Sequence, residues 1–122
     1  MKKILFIEDE SALQKTFGEI LKQEGCRVIP ALNGEVGLRQ ARNEKPDLIL
    51  LDLILPGLHG LEVLKKLKED QVTKGIPVIV LTNLEAADDI EKAIELGATT
   101  YLVKANYSIQ ELVDKIKSVL GE

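Results

Sequence analysis

Residues 46–60 read PDLILLDLILPGLHG, and they indicate the fold class more clearly than any other part of the chain. Leu48-Ile49-Leu50-Leu51 is apolar at four consecutive positions, and Asp52 follows it directly. A strand that is apolar on both sides is buried on both sides, which is the condition of a parallel sheet covered by helices. The stretch therefore predicts an α/β fold in which Asp52 stands at the carboxyl end of a buried strand.

Four more apolar runs flank this one and complete a five-stranded pattern. The predicted strands are Lys3–Ile7, Arg27–Ala31, Asp47–Leu51, Pro77–Leu81 and Thr99–Val103. Between them the apolar residues recur about every 3.6 positions, which is typical of amphipathic helices. Because strand and helix alternate five times, we expect one doubly wound α/β domain over residues 1–122, with a parallel sheet and right-handed crossovers.

The helices are predicted from stripes of apolar residues and from their end signals. The stripes are Leu13, Phe17, Ile20 and Leu21; Val36, Leu38 and Ala41; Leu61, Leu64 and Leu67; Ile90, Ala93 and Ile94; and Ile109, Leu112, Val113, Ile116 and Val119. Asn33 is the predicted N-cap of the second helix, roughly Gly34–Asn43, and Ser108 that of the fifth. Gly25 and Gly97 are predicted to end the first and fourth helices, because glycine accepts the left-handed conformation.

The composition limits the chemistry that this chain can support. It contains one Cys, one His, two Phe and two Tyr, with a net charge of −4. One Cys and one His form neither a disulfide framework nor a four-ligand structural zinc site. The longest uncharged stretch, residues 75–84, is too short to span a membrane, and phosphate contacts need clustered basic residues. We therefore expect a soluble, cytoplasmic protein that binds neither membrane nor nucleic acid and that relies on carboxylates, hydroxyls and lysines.

Polar residues follow four of the five predicted strands. Glu8 and Asp9 follow the first strand, Asp52 the third, Thr82 the fourth and Lys104 the fifth. The functional site of an open α/β sheet lies at this edge. Neighbouring carboxylates repel one another, and a hard divalent cation relieves the repulsion, so the cluster favours Mg²⁺. The set is suited to a phosphoryl group, with a carboxylate to attack phosphorus. Without metal, we expect Asp52→Asn to raise the stability.

Five motifs occur in order along the chain. They are Ile4-Leu5-Phe6-Ile7-Glu8-Asp9-Glu10, Pro46-Asp47-Leu48-Ile49-Leu50-Leu51-Asp52, Asp52-x3-Pro56-x3-Gly60, Val80-Leu81-Thr82 and Gly97-Ala98-x2-Tyr101-Leu102-Val103-Lys104. Together they resemble the receiver domains of two-component response regulators, of the single-domain chemotaxis-regulator type, over the whole chain. The resemblance implies a flavodoxin-like (βα)5 fold with a five-stranded parallel sheet in the order 2-1-3-4-5. The resemblance implies a phosphorelay switch in which Asp52 accepts a phosphoryl group from a phosphohistidine on a partner histidine kinase or phosphotransfer protein.

The resemblance also implies a metal site and a surface switch. Glu8 and Asp9 correspond to the acidic pair that holds Mg²⁺, with Asp9 as the direct ligand. Asp52 and the backbone carbonyl of Ile54 complete that ligand set. The hydroxyl of Thr82 would move toward the phosphoryl group.

Two further positions complete the implied switch. Lys104 corresponds to the lysine that pairs with the phosphoryl group. Tyr101 stands at the aromatic position that turns inward when Thr82 moves. The surface of the fourth helix, fifth strand and fifth helix would then change for an output protein or domain, and we expect a monomer or weak dimer.

The sequence departs from the family pattern around the site. The family usually has a cis-linked proline after the lysine, whereas Ala105 stands here, so we expect a trans peptide and a shifted loop. Asn83 is bulkier than the residue the family favours after the threonine. Ile54 and Leu84 occupy positions that in the family line the approach of the hydrolytic water, and our hypothesis is that they slow dephosphorylation.

Two other functions fit part of the pattern. A docking module with the same fold would not turn over phosphate, and Ala105 and Asn83 leave that reading open. An aspartate-nucleophile phosphohydrolase of the haloacid-dehalogenase type would need a second acid two residues after Asp52, where Ile54 stands, and a cap for its substrate. The lone His59 is expected to be an exposed turn residue and not a base.

Overall fold

The computed structural model describes residues 1–121, within which five strands alternate with five α-helices. The last residue of the expected domain, Glu122, lies outside the described residues. The strands are β1 (Lys3–Ile7), β2 (Arg27–Ala31), β3 (Leu48–Leu51), β4 (Val78–Thr82) and β5 (Thr100–Val103). The helices are α1 (Ser11–Gln23), α2 (Gly34–Glu44), α3 (Gly60–Glu69), α4 (Ala87–Glu95) and α5 (Ile109–Leu120). The strands form one parallel sheet in the predicted order β2-β1-β3-β4-β5.

Both faces of the sheet are covered, because successive side chains of a strand point to opposite faces. On one face, α2, α3 and α4 cover a core that includes Leu5, Ile7, Ile49, Leu51, Val78 and Val80. On the other face, α1 and α5 cover a core that includes Ile4, Phe6, Leu48, Leu50, Ile79 and Leu81. The consecutive apolar residues of β1, β3 and β4 thus fill two separate cores, as the unbroken runs predict.

The predicted helix ends are confirmed. The side chain of Asn33 accepts a 2.8 Å hydrogen bond from the amide of Val36, and Ser108 forms a reciprocal capping box with Glu111. Gly25 and Gly97 have φ angles of 91° and 106°, which is the left-handed region that favours glycine. These ends stop the helices where the chain must return to the sheet.

Two stripes were predicted too wide. Ile94 and Ile109 are each 50% exposed, and Ala93 is the only fully buried residue of the α4 stripe. For Ile94, the reason is that α4 covers the edge strand β5, where no further strand extends the apolar surface. The strand bounds also move slightly, since β4 begins after Pro77 and includes Thr82.

A close backbone approach fixes the loop after β3. The amide of Gly60, at the start of α3, donates a 3.1 Å hydrogen bond to the carbonyl of Leu53. A Cβ at Gly60 would lie 2.3 Å from the Cα of Leu53 and 2.7 Å from the carbonyl oxygen of Asp52. Only glycine fits there, so the start of α3 packs directly against the segment that carries Asp52.

None of the helices in residues 1–121 is long and apolar enough to cross a membrane.

Candidate functional site

The strand register brings the predicted site residues to one edge of the sheet. Ile7 pairs with Leu51, so the residues that follow them, Glu8 and Asp52, emerge side by side from β1 and β3. On the other side of β3, Thr82 pairs with Val103, the residue before Lys104. Residues that are distant in sequence therefore meet because each one ends, or directly follows, a parallel strand.

Three carboxylates form the centre of this edge. Glu8, Asp9 and Asp52 each offer a carboxylate oxygen, and these three oxygens all lie within 4.8 Å of one another. Glu8 and Asp52 are buried, whereas Asp9 is exposed. The cluster therefore has two enclosed acids at its base and one that faces solvent.

Lys104 bridges the two buried acids. Its Nζ donates hydrogen bonds of 2.6 Å to Oε1 of Glu8 and 3.0 Å to Oδ2 of Asp52. The remaining oxygens accept from backbone amides: Oε2 of Glu8 from Glu10 at 3.1 Å and Oδ1 of Asp52 from Ile54 at 3.1 Å. Both oxygens of each acid are thus held in place before any partner arrives.

The two buried acids differ in their electrostatics. Burial raises the pKa of Glu8 to about 7, although the hydrogen bond from Lys104 opposes the rise. Burial also acts on Asp52, but hydrogen bonds from the Thr82 hydroxyl, the Ile54 amide and Lys104 outweigh it and lower its pKa. Burial lowers the pKa of Lys104, and its two acidic partners more than reverse that effect. Asp52 is therefore ionised at neutral pH.

This difference leads to another prediction than the one drawn from the sequence. We expected Asp52→Asn to raise the stability of the metal-free protein, because it removes one of several repelling charges. In the structure, the charge on Asp52 is stabilised by three donors, and the cost of a buried charge falls on Glu8. We therefore predict that a substitution at Glu8, and not one at Asp52, relieves the repulsion in the cluster.

Thr82 is connected to Tyr101 through the backbone of Leu84. The amide of Leu84 donates to the Oγ1 of Thr82 at 3.4 Å, and the hydroxyl of Tyr101 donates to the carbonyl oxygen of Leu84 at 2.8 Å. Thr82 is fully buried, and Tyr101 is partly exposed on β5. A path of hydrogen bonds thus runs from the acidic cluster to the surface strand.

The loop after Lys104 has Ala105 at the position where the family usually has a proline. The Lys104–Ala105 peptide is trans, as predicted, and residues Lys104–Asn106 form a short 3₁₀ turn before α5. Lys104 still reaches both buried acids from this turn. Nearby, Asn83 is exposed, Ile54 is 53% exposed and Leu84 is partly buried against the core.

Sequence reasoning missed two polar contributions close to the site. Gln14 is buried, and its amide nitrogen contacts three backbone carbonyls at the ends of β1 and β2. The sequence feature that could have revealed its burial is its helical register with the buried residues Phe17, Gly18 and Leu21.

His59 is exposed, as expected, but its Nδ1 also caps α3 by accepting from the amide of Leu61 at 3.1 Å.

The donor set fits a hard divalent cation. Carboxylate oxygens are the ligands that Mg²⁺ prefers, and the cluster contains three of them with no sulfur or imidazole donor among its members. Lys104 balances only part of the negative charge that Glu8, Asp9 and Asp52 can carry. A divalent cation would supply the rest.

Comparison with known proteins settles the family. A family profile described as the response regulator receiver domain matches residues 4–117. The chain belongs to the response regulator receiver family. The resemblance drawn from the five motifs is therefore confirmed, and with it the place of this receiver in phosphorelay signal transduction by two-component systems.

Individual relatives agree with this assignment. The phosphate regulon transcriptional regulatory protein PhoB of Escherichia coli K12 is 36% identical over 119 residues, which cover 98% of this chain and 52% of PhoB. This chain thus spans about half the length of that curated relative.

Two solved structures share the fold. One is a CheY-like response regulator receiver domain protein from Methanospirillum hungatei JF-1, with a TM-score of 0.92 and 30% identity, covering 99% of this chain and 94% of that one. The other is the receiver domain of the sensor histidine kinase PA1611 from Pseudomonas aeruginosa PAO1, with a magnesium ion coordinated in its active site cleft. It has a TM-score of 0.88 and 27% identity, covering 99% of this receiver and 98% of that chain.

Proposed function

We propose that this receiver accepts a phosphoryl group on Asp52 from a phosphohistidine of a partner histidine kinase or phosphotransfer protein. A carboxylate oxygen of Asp52 forms the new bond to phosphorus as the phosphorus–nitrogen bond breaks. The electron pair of the broken bond stays with the imidazole, which carries a proton on its other ring nitrogen and leaves neutral. Asp52 is left as an aspartyl phosphate.

The arrangement around Lys104 is the observation that carries this proposal. An attacking carboxylate must be ionised and held in position, and both conditions are met at Asp52 by the Ile54 amide and the Lys104 ammonium. The same ammonium lies 2.6 Å from Glu8, so it is held between the two buried acids. From there it can pair with an oxygen of the incoming phosphoryl group and offset its charge.

We assign the metal site to the acidic cluster. Glu8, Asp9 and Asp52, with the backbone carbonyl of Ile54, would hold Mg²⁺. When bound, the cation neutralises negative charge on the transferring phosphoryl group and on the acids around it. The magnesium ion in the active site cleft of the PA1611 receiver supports this assignment.

Thr82 and Tyr101 are the proposed switch. The Thr82 hydroxyl donates to the phosphoryl group once Asp52 is modified, and its movement alters the hydrogen bonds that lead through Leu84 to Tyr101. The surface formed by α4, β5 and α5 then differs between the two forms, and an output protein or domain reads that difference. We infer a monomer or weak dimer.

We further propose that the receiver domain spans residues 1–122 and that it works in the cytoplasm without binding nucleic acid or membrane. It is a phosphoacceptor that assists its own phosphorylation and autodephosphorylation, and not an enzyme with a separate substrate. The acid that a phosphohydrolase needs two residues after Asp52 is replaced by the half-exposed side chain of Ile54.

The test is one incubation with Mg²⁺ and a small acyl-phosphate donor, read by intact-mass spectrometry. We expect a single phosphoryl adduct that is absent in Asp52→Asn and in the presence of chelator. Asp47→Asn is the matched control, because Asp47 precedes the same strand and binds the amide of Lys3 at the opposite edge of the sheet. It should be phosphorylated like the wild type.

The other outcomes identify the alternatives. Lack of an adduct on the wild type would contradict the proposal and favour a docking module. Rapid multiple turnover of phosphate monoesters would contradict it in favour of a phosphohydrolase.

A further inference from the structure

The side-chain amide of Gln14 is a buried polar group that the proposed phosphoryl transfer does not use. Gln14 lies on α1 with 8% of its surface exposed. Its Nε2 lies 2.6 Å from the carbonyl oxygen of Phe6, 3.1 Å from that of Ala31 and 3.2 Å from that of Glu8. Three backbone carbonyls from the carboxyl ends of β1 and β2 thus converge on one nitrogen.

The contacts fully commit the donors of this amide. A glutamine amide has two N–H groups, so with three carbonyls at least one N–H is shared between two of them. The Ala31 carbonyl also accepts a 2.9 Å hydrogen bond from the backbone amide of Glu8. Gln14, Ala31 and Glu8 therefore form a closed set of hydrogen bonds around the point where β1 ends.

This set fixes the backbone on which the acidic pair stands. The Glu8 carbonyl belongs to the peptide that joins Glu8 to Asp9, so holding it fixes the plane of that peptide. The orientation of this plane in turn determines the position of the Cα of Asp9 and the directions in which the two acidic side chains leave the backbone. Asp9 is exposed, so its carboxylate depends on this backbone for its position relative to Glu8 and Asp52.

We propose that Gln14 is a positioning residue that holds the Glu8–Asp9 peptide in the orientation required to bind a divalent cation. Its side chain does not touch the cation and acts through the backbone carbonyl of Glu8. This inference rests on the proposed function of the acidic cluster and extends it to α1. A purely structural glutamine would stabilise the fold without changing the affinity for the cation.

The test compares the binding of Mg²⁺ alone, by titration calorimetry, between the wild type and Gln14→Met. Methionine has a similar length but no N–H donor, so it leaves the three carbonyls without their shared partner. We expect the dissociation constant for Mg²⁺ to rise about tenfold or more, the size typical of residues that orient metal ligands.

Thr73→Val is the matched control for lost stability. Thr73 is also buried, and it lies in the loop between α3 and β4, at the opposite end of the strands from the acidic cluster. Its Oγ1 donates a 2.7 Å hydrogen bond to the carbonyl of Leu67. It should lower the stability and leave the Mg²⁺ affinity within about twofold of the wild type, since it orients no ligand.

The outcomes separate this inference from the proposed function. If the wild type binds Mg²⁺ and the dissociation constant of Gln14→Met lies within about twofold of the wild-type value, the role of Gln14 is overturned and the metal site stands. If the wild type binds no Mg²⁺, the metal assignment is overturned and the role of Gln14 with it.

A measurement on the wild type keeps the inference testable if Gln14→Met does not fold. In a ¹⁵N-labelled sample, the side-chain amide resonance of Gln14 should shift as Mg²⁺ is added. Gln110, whose amide donates to Asp114 on the surface of α5, is the internal control and should not shift. A Gln14 resonance that stays unchanged at saturating Mg²⁺ would overturn the inference.

Discussion

The hydroxyl of Tyr101 donates a 2.8 Å hydrogen bond to the backbone carbonyl of Leu84, two residues after Thr82. Because the amide of the same Leu84 donates to Thr82, a single residue connects Thr82 to Tyr101 on β5 through hydrogen bonds. The link uses only backbone atoms of Leu84, so its side chain can vary without breaking it. The geometry therefore ties the proposed switch residues together before any phosphorylation occurs.

Tyr101→Phe tests this link. It removes one hydrogen bond and keeps the ring, so the free energy of unfolding should fall by about 0.5–1.5 kcal/mol in urea denaturation. Asp52 should still accept a phosphoryl group, because Tyr101 does not donate to it. Tyr107→Phe, which keeps its ring beside Lys115, is the control. Equal stabilities for Tyr101→Phe and the wild type would show that the bond to Leu84 is not formed in solution.

Substitutions of the two buried acids should act in opposite directions in the metal-free protein. The pKa of Asp52 is lowered by folding, so its charge stabilises the fold above its unfolded pKa of about 3.8, and Asp52→Asn loses that contribution. The pKa of Glu8 is raised from 4.5 to about 7, so stability falls as the pH rises through that range and the cost is complete above it, and Glu8→Gln removes the cost. At pH 8 (about one unit above the pKa of Glu8) with chelator, we expect Glu8→Gln to be the most stable and Asp52→Asn the least. The reverse order by thermal unfolding would contradict the account of the cluster.

The side chains of Ile54 and Leu84 should prolong the life of the aspartyl phosphate. Ile54 is half exposed two residues after Asp52, and Leu84 is partly buried two residues after Thr82. Both occupy positions that, by the resemblance to the receiver family, line the approach of the hydrolytic water. The double variant Ile54→Asn, Leu84→Gln should lose its phosphoryl group about tenfold faster, equivalent to about 1.4 kcal/mol in the barrier. Val72→Asn, a similar change at an exposed residue after α3, is the control. An equal or longer lifetime in the double variant, measured by intact mass over time, would refute the hypothesis.

The capping box of α5 should make stability depend on pH. Hydrogen bonds from the backbone and side chain of Ser108 lower the pKa of Glu111. The stabilisation is therefore present above the unfolded pKa of about 4.5 and is lost as pH falls through the lower folded value. Denaturant titrations should show that the difference in the free energy of unfolding between the wild type and Glu111→Gln shrinks as the pH falls from 7 to 3. Glu62→Gln is the control, because Glu62 stands three residues after the N-cap His59 of α3, as Glu111 does after Ser108. Its loss of unfolding free energy at pH 7 should be smaller than that of Glu111→Gln.

The strands and the site residues could be predicted because they depend on local patterns and on simple topology. Unbroken apolar runs such as Leu48–Leu51 require burial on both faces, and a parallel sheet then gathers the residues at the strand ends. That reasoning brought Glu8, Asp52 and Lys104 together without any distance information. The caps at Asn33 and Ser108 were equally accessible, since residue type alone favours those positions.

What the sequence could not give depends on three-dimensional detail. The opposite pKa shifts of Glu8 and Asp52 arise from which oxygens meet which donors, and residue types do not specify that. The role of Leu84 rests on backbone atoms that every residue has. The exposure of Ile94 depends on how far the sheet extends beneath α4, which an apolar stripe does not reveal.

Chemical trapping of the aspartyl phosphate determines whether Asp52 itself carries the phosphoryl group. Reduction of the phosphorylated protein with borohydride converts an acyl phosphate of aspartate into homoserine, which peptide mass spectrometry locates by residue. We predict homoserine at position 52 in the sample treated with donor and Mg²⁺, and aspartate there in the untreated sample. Homoserine at Asp9 or Asp47 in place of Asp52, or a phosphoryl group found on His59, would contradict the account.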